Sequence, residues 1–531
     1  MKIGIQGGGW RAQMTQDIVR QLGVVAGIAE GFSEDLTLVC APGAGIGRAV
    51  EDYVRNGGRA VVLYPERELM SLFGAELLYT YPFPYLQNLR EDLPISLLQV
   101  FPPVTLIRPG EGESWANFAL DFTKTSANGT SRYPALIWRE CGQGRIGMFL
   151  YDLPATLLLL QQGWEFFSSS GDFPAWRRDG VARASYLYQN LIREPLAHLP
   201  QAYLHEILFL SFCRQVAGRR NPLSRIWYYP HGQTSALLLS GDSDLLPRDK
   251  LEEAWSKLGR LDVPYTQFIM LEDLAAFSSA ELKKWEAQGI DFALHYFAGR
   301  TPTAEEMKTH LGQARDLFER RNLTFDAARG HSLAWVGWDE QVRLMAGQGL
   351  TISSNMFYWL WGVSQGFPYH LYTEQGRSPL RELQIFSSDD ITLHNKGGAV
   401  TLPPAEAAHR MNAVLDTMRD LYYQPFNPAF HPHYFAGHKP DTTGWLTDLI
   451  AHAREKNIPV MNYRQFFAWW ESRNLVVEQS RTDEQGRVRL AGPSGGVAVA
   501  VPEEWAKENR PGEGLKLPGT SEVLLSDIGE T

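Results

Sequence analysis

Residues 235–244 read SALLLSGDSD, an apolar run that ends in two carboxylates, Asp242 and Asp244. A short apolar run of this kind is consistent with a buried strand, and in (β/α) barrels reactive side chains collect at the carboxyl ends of the strands. Placing two acids there is costly unless a metal ion or an arginine compensates their charge. The run therefore indicates either a charged site at the end of a strand or an Asx turn that caps the next helix.

The segments after this run alternate helix and strand signals and carry further reactive side chains. AQGIDFALHYF contains His295, FDAARGHSLAW contains Arg329, and AFHPHYFAG contains His431. In this order, the residues from 235 to 470 resemble the NodB-type polysaccharide deacetylases, and the resemblance covers about half of the chain.

The resemblance implies a distorted (β/α) barrel that removes acyl groups from a carbohydrate with the help of a divalent metal ion, with zinc expected. It implies that Asp242 is the catalytic base, that Arg329 pairs with this base, and that His431 is a late catalytic histidine. Asp244 and His295 are then the metal ligands. A divalent cation lowers the pKa of bound water and polarises the acyl carbonyl, while a nearby carboxylate takes the proton of the attacking water.

Two departures from the family pattern bear on the metal site. Ser243 separates acids that are usually adjacent, and Gly299 stands where a second histidine ligand is usual. Losing one ligand leaves a weak site unless His331, His433 or His231 substitutes. Three alternative interpretations stay open: His295 as a core histidine, Arg329 as an ordinary ion-pair member, and the segment 431–433 as an exposed loop.

Other features of this half of the chain are less specific. Asp389 and Asp390 follow a predicted strand and are typical of a turn or a helix cap rather than of a second metal site. Trp335 and Trp338 are weak candidates for stacking on a sugar face, because aromatic rings offer a large apolar area with a polar tip.

The first segment of the chain alternates strand and helix signals: KIGIQ, a polar helix, LTLVCAPGAG, a second helix and RAVVLYP. This alternation is typical of a doubly wound α/β domain. Residues 1–163 resemble the class I glutamine-amidotransferase-like (flavodoxin-like) fold. An active amidotransferase needs a cysteine after the strand that ends at Leu63, and Tyr64 stands there instead. We therefore expect this domain to be non-catalytic, with Cys40 a buried structural thiol.

The predicted fold class is thus α/β, with a doubly wound amidotransferase-like domain, a NodB-type barrel and a small β appendage. The predicted boundaries are 1–165 for the first domain, 166–230 for a helical connector, 231–475 for the barrel and 476–531 for the appendage. The appendage is expected because residues after 477 show short strands separated by glycine and proline.

Composition excludes several classes of partner. A net charge of −10 with no block of basic residues argues against a nucleic-acid partner. The three cysteines lie far apart, which disfavours both a disulfide framework and a thiolate zinc site. We find neither a secretory signal nor a run of roughly 20 apolar residues that could cross a bilayer. The expectation is a cytoplasmic protein without a membrane partner, and the oligomeric state is left open.

Three functions compete at this stage. The first is a metal-dependent deacylase that acts on an acylated carbohydrate. The second is a non-catalytic carbohydrate-binding or assembly protein in which both enzyme-like domains have degenerated, and it predicts no metal and no turnover. The third is a glycoside hydrolase that uses Asp242 and Asp244. It ranks last, because two acids on one turn seldom flank a bond at the separation of about 5 Å that retaining hydrolysis requires.

Overall fold

The structure is a computed structural model. It describes residues 2–30, 32, 38–41, 45–82, 84–88, 90, 93–95, 97–120, 132–163, 181, 183–187, 191, 196, 199–218, 222–300, 302–357, 365–394, 402–436, 442–483, 487–493, 495–509, 515–517 and 520–525. The chain divides into two compact units. The first unit comprises 1–160, 201–232 and 470–531, and the second comprises 161–200 and 233–469.

The first unit is built on a nine-stranded mixed sheet within the described residues. Its strands in chain order are β1 Lys2–Ile5, β2 Gly27–Glu30, β3 Leu38–Ala41, β4 Arg59–Leu63, β5 Tyr85–Asn88, β6 Leu97–Gln99, β7 Glu113–Ala119, β8 Pro134–Cys141 and β9 Gly144–Phe149. The order across the sheet is β2-β1-β3-β4-β9-β8-β7-β5-β6. The pairs from β2 to β9 are parallel, and the remaining pairs are antiparallel.

The helices of the first unit begin with two that alternate with its strands, as the sequence predicts. They are Gly9–Leu22, Gly47–Arg55, Arg67–Met70, Leu153–Gln162, Gln201–Ala217 and Glu503–Asn509. Three smaller sheets complete the described part of this unit: the pair Glu76–Tyr81 with Val104–Arg108, the pair Arg481–Thr482 with Val488–Arg489, and a four-stranded sheet. The four-stranded sheet runs in the order Arg225–Ile226, Val499–Pro502, Glu522–Leu525, Leu515–Lys516.

A buried ion pair ties the late residues of the chain to the first unit. Arg225 is fully buried, and its Nη2 lies 2.5 Å from Oε2 of Glu522. Arg214 approaches the other carboxylate oxygen at 2.8 Å. These two charges outweigh the effect of burial and lower the pKa of Glu522 to about 2, so the carboxylate is ionised.

The second unit contains another nine-stranded sheet in the described part of the chain. Its strands are β10 Ser240–Asp242, β11 Tyr265–Ile269, β12 Ile290–Tyr296, β13 Ala327–Gly330, β14 Ile352–Ser353, β15 Tyr369–Thr373, β16 Gly376–Glu382, β17 Ser387–Ser388 and β18 Pro428–Ala429. The order is β15-β16-β14-β13-β12-β11-β10-β18-β17, and the pair β15-β16 is antiparallel while the others are parallel.

Helices connect the parallel strands of this unit. They are Arg248–Arg260, Leu271–Ala275, Ser279–Glu286, Ala304–Arg320, Glu340–Gly347, Asp389–His394, Pro404–Thr417, Pro432–Phe435, Thr443–Glu455 and Tyr463–Gln479. The segment Arg248–Arg260 forms a helix because its apolar residues recur with helical spacing. Those that are buried are Leu251, Ala254, Trp255 and Leu258. All seven residues of β12 are buried, as expected for a parallel strand covered on both faces.

The strand order decides where a site can form. Because β10, β12, β13, β17 and β18 run in the same direction, their carboxyl ends meet at one edge of the sheet. His295 on β12 is the register partner of Arg329 on β13, and Ser240 on β10 is the partner of Ala429 on β18. Residues far apart in sequence are thereby brought together at this edge.

The structure shows an α/β fold with two large mixed sheets. A closed barrel and an amidotransferase-like first domain stay predictions, as do the domain boundaries, which run differently along the chain from the two compact units. Of the predicted helical connector 166–230, residues 166–180, 182, 188–190, 192–195, 197–198 and 219–221 lie outside the described residues. Across the part of the chain that the structure describes, no helix combines the length and the apolar character needed to cross a membrane.

Candidate metal centre and active site

Five of the predicted site residues lie together at the carboxyl edge of the second unit's sheet. Asp242 ends β10, His295 lies near the end of β12, and Arg329 lies near the end of β13. Asp244 follows β10 by two residues, and His431 follows β18 by two residues. The parallel topology therefore gathers side chains that the sequence spreads over 190 positions.

The centre of the site is a group of three possible metal ligands, Asp244, His295 and His331. Oδ1 of Asp244 lies 3.0 Å from Nε2 of His295 and 2.9 Å from Nδ1 of His331. The two ring nitrogens are 3.3 Å apart. His331 immediately follows β13, so the three ligands come from the ends of three different strands.

The hydrogen bond on the other side of the His295 ring fixes its orientation. Nδ1 of His295 lies 3.1 Å from the backbone oxygen of Arg329. A carbonyl oxygen only accepts, so Nδ1 carries the proton and Nε2 faces the Asp244 carboxylate. A neutral ring then points the lone pair of Nε2 at an anionic oxygen, and the two repel each other. A cation held between them, or a second proton on the ring, would remove this repulsion.

Charge balance favours a positive species at this point. Burial lowers the pKa of His295, but the carboxylates of Asp242 and Asp244 outweigh burial and raise it. Burial also raises the pKa of Asp244, but its close contacts with the rings of His295 and His331 overcome this and lower the pKa well below its usual range. The ionised acid and two imidazoles form a pocket that attracts a cation.

The donor set fits a divalent transition metal. Zinc takes imidazole nitrogen and carboxylate oxygen at roughly 2.0–2.2 Å, which in a tetrahedral site separates the donors by roughly 3.3 Å. The three observed separations run from 2.9 to 3.3 Å. Three protein ligands are also the number typical of catalytic zinc sites. Asp244, His295 and His331 are therefore the residues that would hold the ion.

Asp242 lies beside this group and is paired with a buried arginine. Nη1 of Arg329 donates to Oδ1 of Asp242 at 2.9 Å. The other oxygen, Oδ2, lies 3.9 Å from Nδ1 of His295 and 3.8 Å from Nε2 of His431. Burial raises the pKa of Asp242, while the charges of these three neighbours more than offset burial and lower it. Asp242 is thus an ionised carboxylate with one oxygen turned toward the centre.

Arg329 is fully buried, and its guanidinium donates hydrogen bonds to several neighbouring groups. Nη2 donates to the hydroxyls of Ser240, Ser354 and Tyr463 at 2.9, 3.0 and 3.0 Å, and Nε donates to the Ser354 carbonyl at 3.2 Å. Its guanidinium also lies 4.0 Å from the ring centroid of Phe268. These contacts hold the arginine rigidly and so fix the Asp242 carboxylate.

A second acid supports His431. Nδ1 of His431 lies 2.5 Å from Oδ1 of Asp389, and the His431 backbone N–H donates to Oδ2 of the same acid at 2.8 Å. Burial lowers the pKa of His431, but the fully buried Asp389 outweighs burial and raises it well above its usual value. His431 is therefore held as an imidazolium, with Nε2 directed toward Asp242 and Asp244 at 3.8 and 3.9 Å.

Asp389, Asp390 and His431 form a second group that could hold a metal ion. Both oxygens of Asp389 are already bound to His431, and Oδ1 also accepts from the Asp390 backbone N–H. Asp390 in turn accepts a hydrogen bond from Ser388. The group is satisfied by its own hydrogen bonds, which favours the first group as the metal centre.

The ends of β12 and β13 are also tied to each other. Oδ1 of Asn355 accepts from the backbone N–H of Gly330 at 2.7 Å and from the hydroxyl of Tyr296 at 3.0 Å. Tyr296 follows His295, and Gly330 precedes His331. Two backbone N–H groups at residues 355 and 356 donate to Oε1 of Glu382, each at 2.7 Å. No local pattern in the sequence marks Asn355 or Glu382 for this role.

Other residues singled out in the sequence are not part of the group of three possible ligands. A Cβ added to Gly299 would meet no other atom within 4 Å, and His231 belongs to the first unit. Trp335 is only 2% exposed, and Trp338 donates its indole N–H to the Gly163 carbonyl at 3.2 Å. A stacking role for the two tryptophans stays a prediction, and the burial of Trp335 weighs against it.

Comparison with known proteins gives structural likenesses only. The sequence matches no protein-family model and no curated protein. A polysaccharide deacetylase from Mycobacterium smegmatis, described as putative, is 18% identical, with a TM-score of 0.37 over 47% of this chain and 93% of that chain. A probable polysaccharide deacetylase from Pseudomonas aeruginosa is 13% identical, with a TM-score of 0.35 over 46% and 93%. A CE4 family pseudoenzyme from Bacillus anthracis is 13% identical, with a TM-score of 0.30 over 44% and 66%.

Proposed function

We propose that the second unit is a metal-dependent hydrolase that removes an acyl group, such as acetyl, from a carbohydrate. The observation that supports this most directly is the convergence of Asp244, His295 and His331, with the Nε2 atom of His295 directed at the carboxylate by the Arg329 carbonyl. Metal-ligating histidines commonly donate their other ring N–H to a backbone carbonyl, and His295 shows this arrangement.

The bound ion would supply a water of lowered pKa and polarise the acyl carbonyl. Asp242 is placed to take a proton, because its Oδ2 faces the centre while its Oδ1 is held by Arg329. The arginine keeps this carboxylate ionised and oriented, since a neighbouring opposite charge favours the charged form. In this proposal Asp242 is the general base.

His431 is placed to give a proton to the leaving amine or alcohol. The carboxylate of Asp389 keeps its ring protonated, and Nε2 lies on the side of Asp242 and Asp244. A general base and a general acid next to a cation site form the pair that acyl hydrolysis needs. The order in which these residues occur, which resembles the deacetylases, is the reason for proposing a carbohydrate substrate.

An exposed aromatic ring next to the centre suits a sugar. Phe297 is 40% exposed, and its ring centroid lies 4.9 Å from that of His331. A flat apolar face beside a polar centre can stack on a sugar ring. For the first unit we keep the proposal of a non-catalytic amidotransferase-like domain, because Tyr64 stands where the nucleophile is needed and Cys40, Cys141 and Cys213 are all buried.

The test is the metal content of the purified full chain, measured by elemental analysis after purification in metal-supplemented buffer without chelator. We expect about one equivalent of a divalent metal, lost in both Asp244→Ala and His295→Ala. His409→Ala removes an exposed histidine from the helix Pro404–Thr417 and serves as the control. Acetate release from acetylated sugars is then screened with the loaded protein.

A wild-type protein that binds no metal under these conditions would contradict the hydrolase. That outcome would instead favour the non-catalytic carbohydrate-binding or assembly protein. Metal binding without hydrolysis of any acetylated sugar would leave the metal centre intact and reject the substrate class.

A further inference from the structure

The turn that carries Asp244 has an unusual backbone. Asp244 and Leu245 have φ values of 48° and 59°, and the N–H of Leu246 donates to the Ser243 carbonyl at 3.0 Å. Two consecutive residues with positive φ, flanked by two residues that share such a hydrogen bond, are typical of a type I′ turn. Glycine, asparagine and aspartate dominate the central positions of this turn. A leucine there costs about 1–3 kcal/mol of backbone strain.

The side chain of Leu245 does not explain why the turn persists. It is 57% exposed, so burial of its own apolar surface contributes little to holding this conformation. The stabilising contacts come from hydrogen bonds beneath the turn. The Ser243 backbone N–H donates to the Phe268 carbonyl at 2.9 Å, which continues the pairing of β10 with β11 by one residue.

One buried acid binds both sides of the turn. Oδ2 of Asp273 accepts from the hydroxyl of Ser243 and from the backbone N–H of Leu245 at 3.2 Å. The Ser243 hydroxyl also accepts from the Met270 backbone N–H at 3.0 Å. Ser243 is fully buried and Asp273 is 9% exposed, so water cannot easily replace these bonds.

The turn decides where the two acids of the site point. In an extended strand, residues i and i+2 project from the same face, and Asp242 and Asp244 would then compete for the same space. With the turn in place, Asp242 pairs with Arg329 while Asp244 meets His295 and His331. Ser243 separates the two acids in sequence, and its hydroxyl is the group that donates to Asp273. We call this contact of Asp273 with Ser243 the clamp.

We propose that Asp273 and Ser243 are positioning residues, which hold the 243–246 turn in its left-handed conformation and thereby place the Asp244 carboxylate in the metal centre. This inference rests on the proposed metal-dependent function and deepens it. Asp273 itself touches none of the three ligand side chains in the described contacts, and it acts through the backbone of the turn.

The test measures the affinity of the chelator-treated full chain for Co²⁺ alone, by calorimetry and by the visible absorption of the bound ion. We expect Asp273→Ala to weaken Co²⁺ binding by about 10- to 100-fold, the effect typical of losing a partner outside the ligand shell. Asp273→Asn keeps an acceptor oxygen and should bind Co²⁺ nearly as tightly as wild type. Glu272→Ala removes an exposed acid from the same helix and is the matched control.

A rescue variant separates positioning from general loss of stability. Glycine adopts positive φ at no steric cost, so adding Leu245→Gly to Asp273→Ala should restore most of the lost Co²⁺ affinity. A merely structural role for Asp273 predicts no such recovery. The inference is overturned if Asp273→Ala binds Co²⁺ like wild type, or if the double variant binds no better than the single one.

If wild type binds no Co²⁺, that result contradicts the proposed function and not the positioning role. A second measurement tests the positioning role in either case. Crystal structures of the metal-free wild type and Asp273→Ala are compared at residue 244. We expect Asp244 to leave the left-handed region in the variant and its carboxylate to move away from His295. An unchanged turn in the variant would refute the positioning role.

Discussion

The ring atom Nδ1 of His295 lies 3.1 Å from the backbone oxygen of Arg329, its register partner on the neighbouring strand. This contact uses the backbone of the residue whose side chain binds Asp242. The carboxylate proposed as the base and the histidine proposed as a metal ligand are therefore both held by the same residue of β13. A shift of that strand would disturb both the metal centre and the base.

His331 is predicted to be the third metal ligand, in the role that Gly299 cannot fill. We expect His331→Ala to lower metal affinity strongly, because two protein ligands make a weak site. Equilibrium dialysis against buffered Zn²⁺ measures this, with His433→Ala as the comparison, since His433 is another histidine that could have substituted. Equal losses in both variants would contradict the assignment of His331.

Asp389 is predicted to keep His431 protonated. The folded-state pKa of His431 is raised above its usual value because the attraction of Asp389 outweighs burial. The stability from this charge is therefore fully present below the unfolded pKa of about 6.5 and is lost as pH rises through the folded pKa. In Asp389→Asn we expect the pKa of His431 to fall.

Nuclear magnetic resonance of ¹³C-labelled histidine follows this titration, with His431→Gln used to assign the signal. Asp416→Asn provides the control, because Asp416 pairs with a different histidine, His452, at 3.0 Å. An unchanged titration of His431 in Asp389→Asn would show that the acid does not govern the ring.

Arg329 is predicted to stabilise the fold as well as to orient the base. Removing one partner of a buried ion pair costs about 3–5 kcal/mol, so Arg329→Met should lower the free energy of unfolding by that amount in urea. Adding Asp242→Asn should recover part of the loss, because the stranded carboxylate is then neutral. Arg410→Met, which breaks an exposed pair with Glu406, should cost at most about 1 kcal/mol.

Glu382 is predicted to make stability depend on pH. Its full burial raises its pKa from 4.5 to about 7, and hydrogen bonds from Ser353, Met356 and Asn355 offset only part of that effect. The folded state thus favours the protonated acid. This contribution is complete below pH 4.5 and is lost as pH rises through about 7.

Replacing this acid by Glu382→Gln should remove a pH-dependent loss of stability of roughly 3 kcal/mol between pH 4.5 and 8. Thermal unfolding at a series of pH values measures it against Glu374→Gln, an exposed acid of the same region. If both variants lose stability with pH as wild type does, the carboxyl group of Glu382 is not the source.

The sequence by itself determined much of what gathers at the site. The apolar run before Asp242 and the strand that carries His295 are predicted by the hydrophobic pattern, and the segments with Arg329 and His431 follow them along the chain. This order resembles that of the NodB-type deacetylases and so predicts a metal-dependent deacylase. The sequence alone also shows that no cysteine follows Leu63.

Only the tertiary structure decided which histidine joins Asp244 and His295. His231, His331 and His433 were equal candidates in sequence, and parallel pairing of β12 with β13 brings His331 alone of these into the group of described ligands. The partnership of Asp389 with His431 spans 42 residues, and the clamp of Asp273 on Ser243 spans 30. Such contacts depend on strand order and register, which local propensity does not encode, because each residue's partner is set by the packing of the whole sheet.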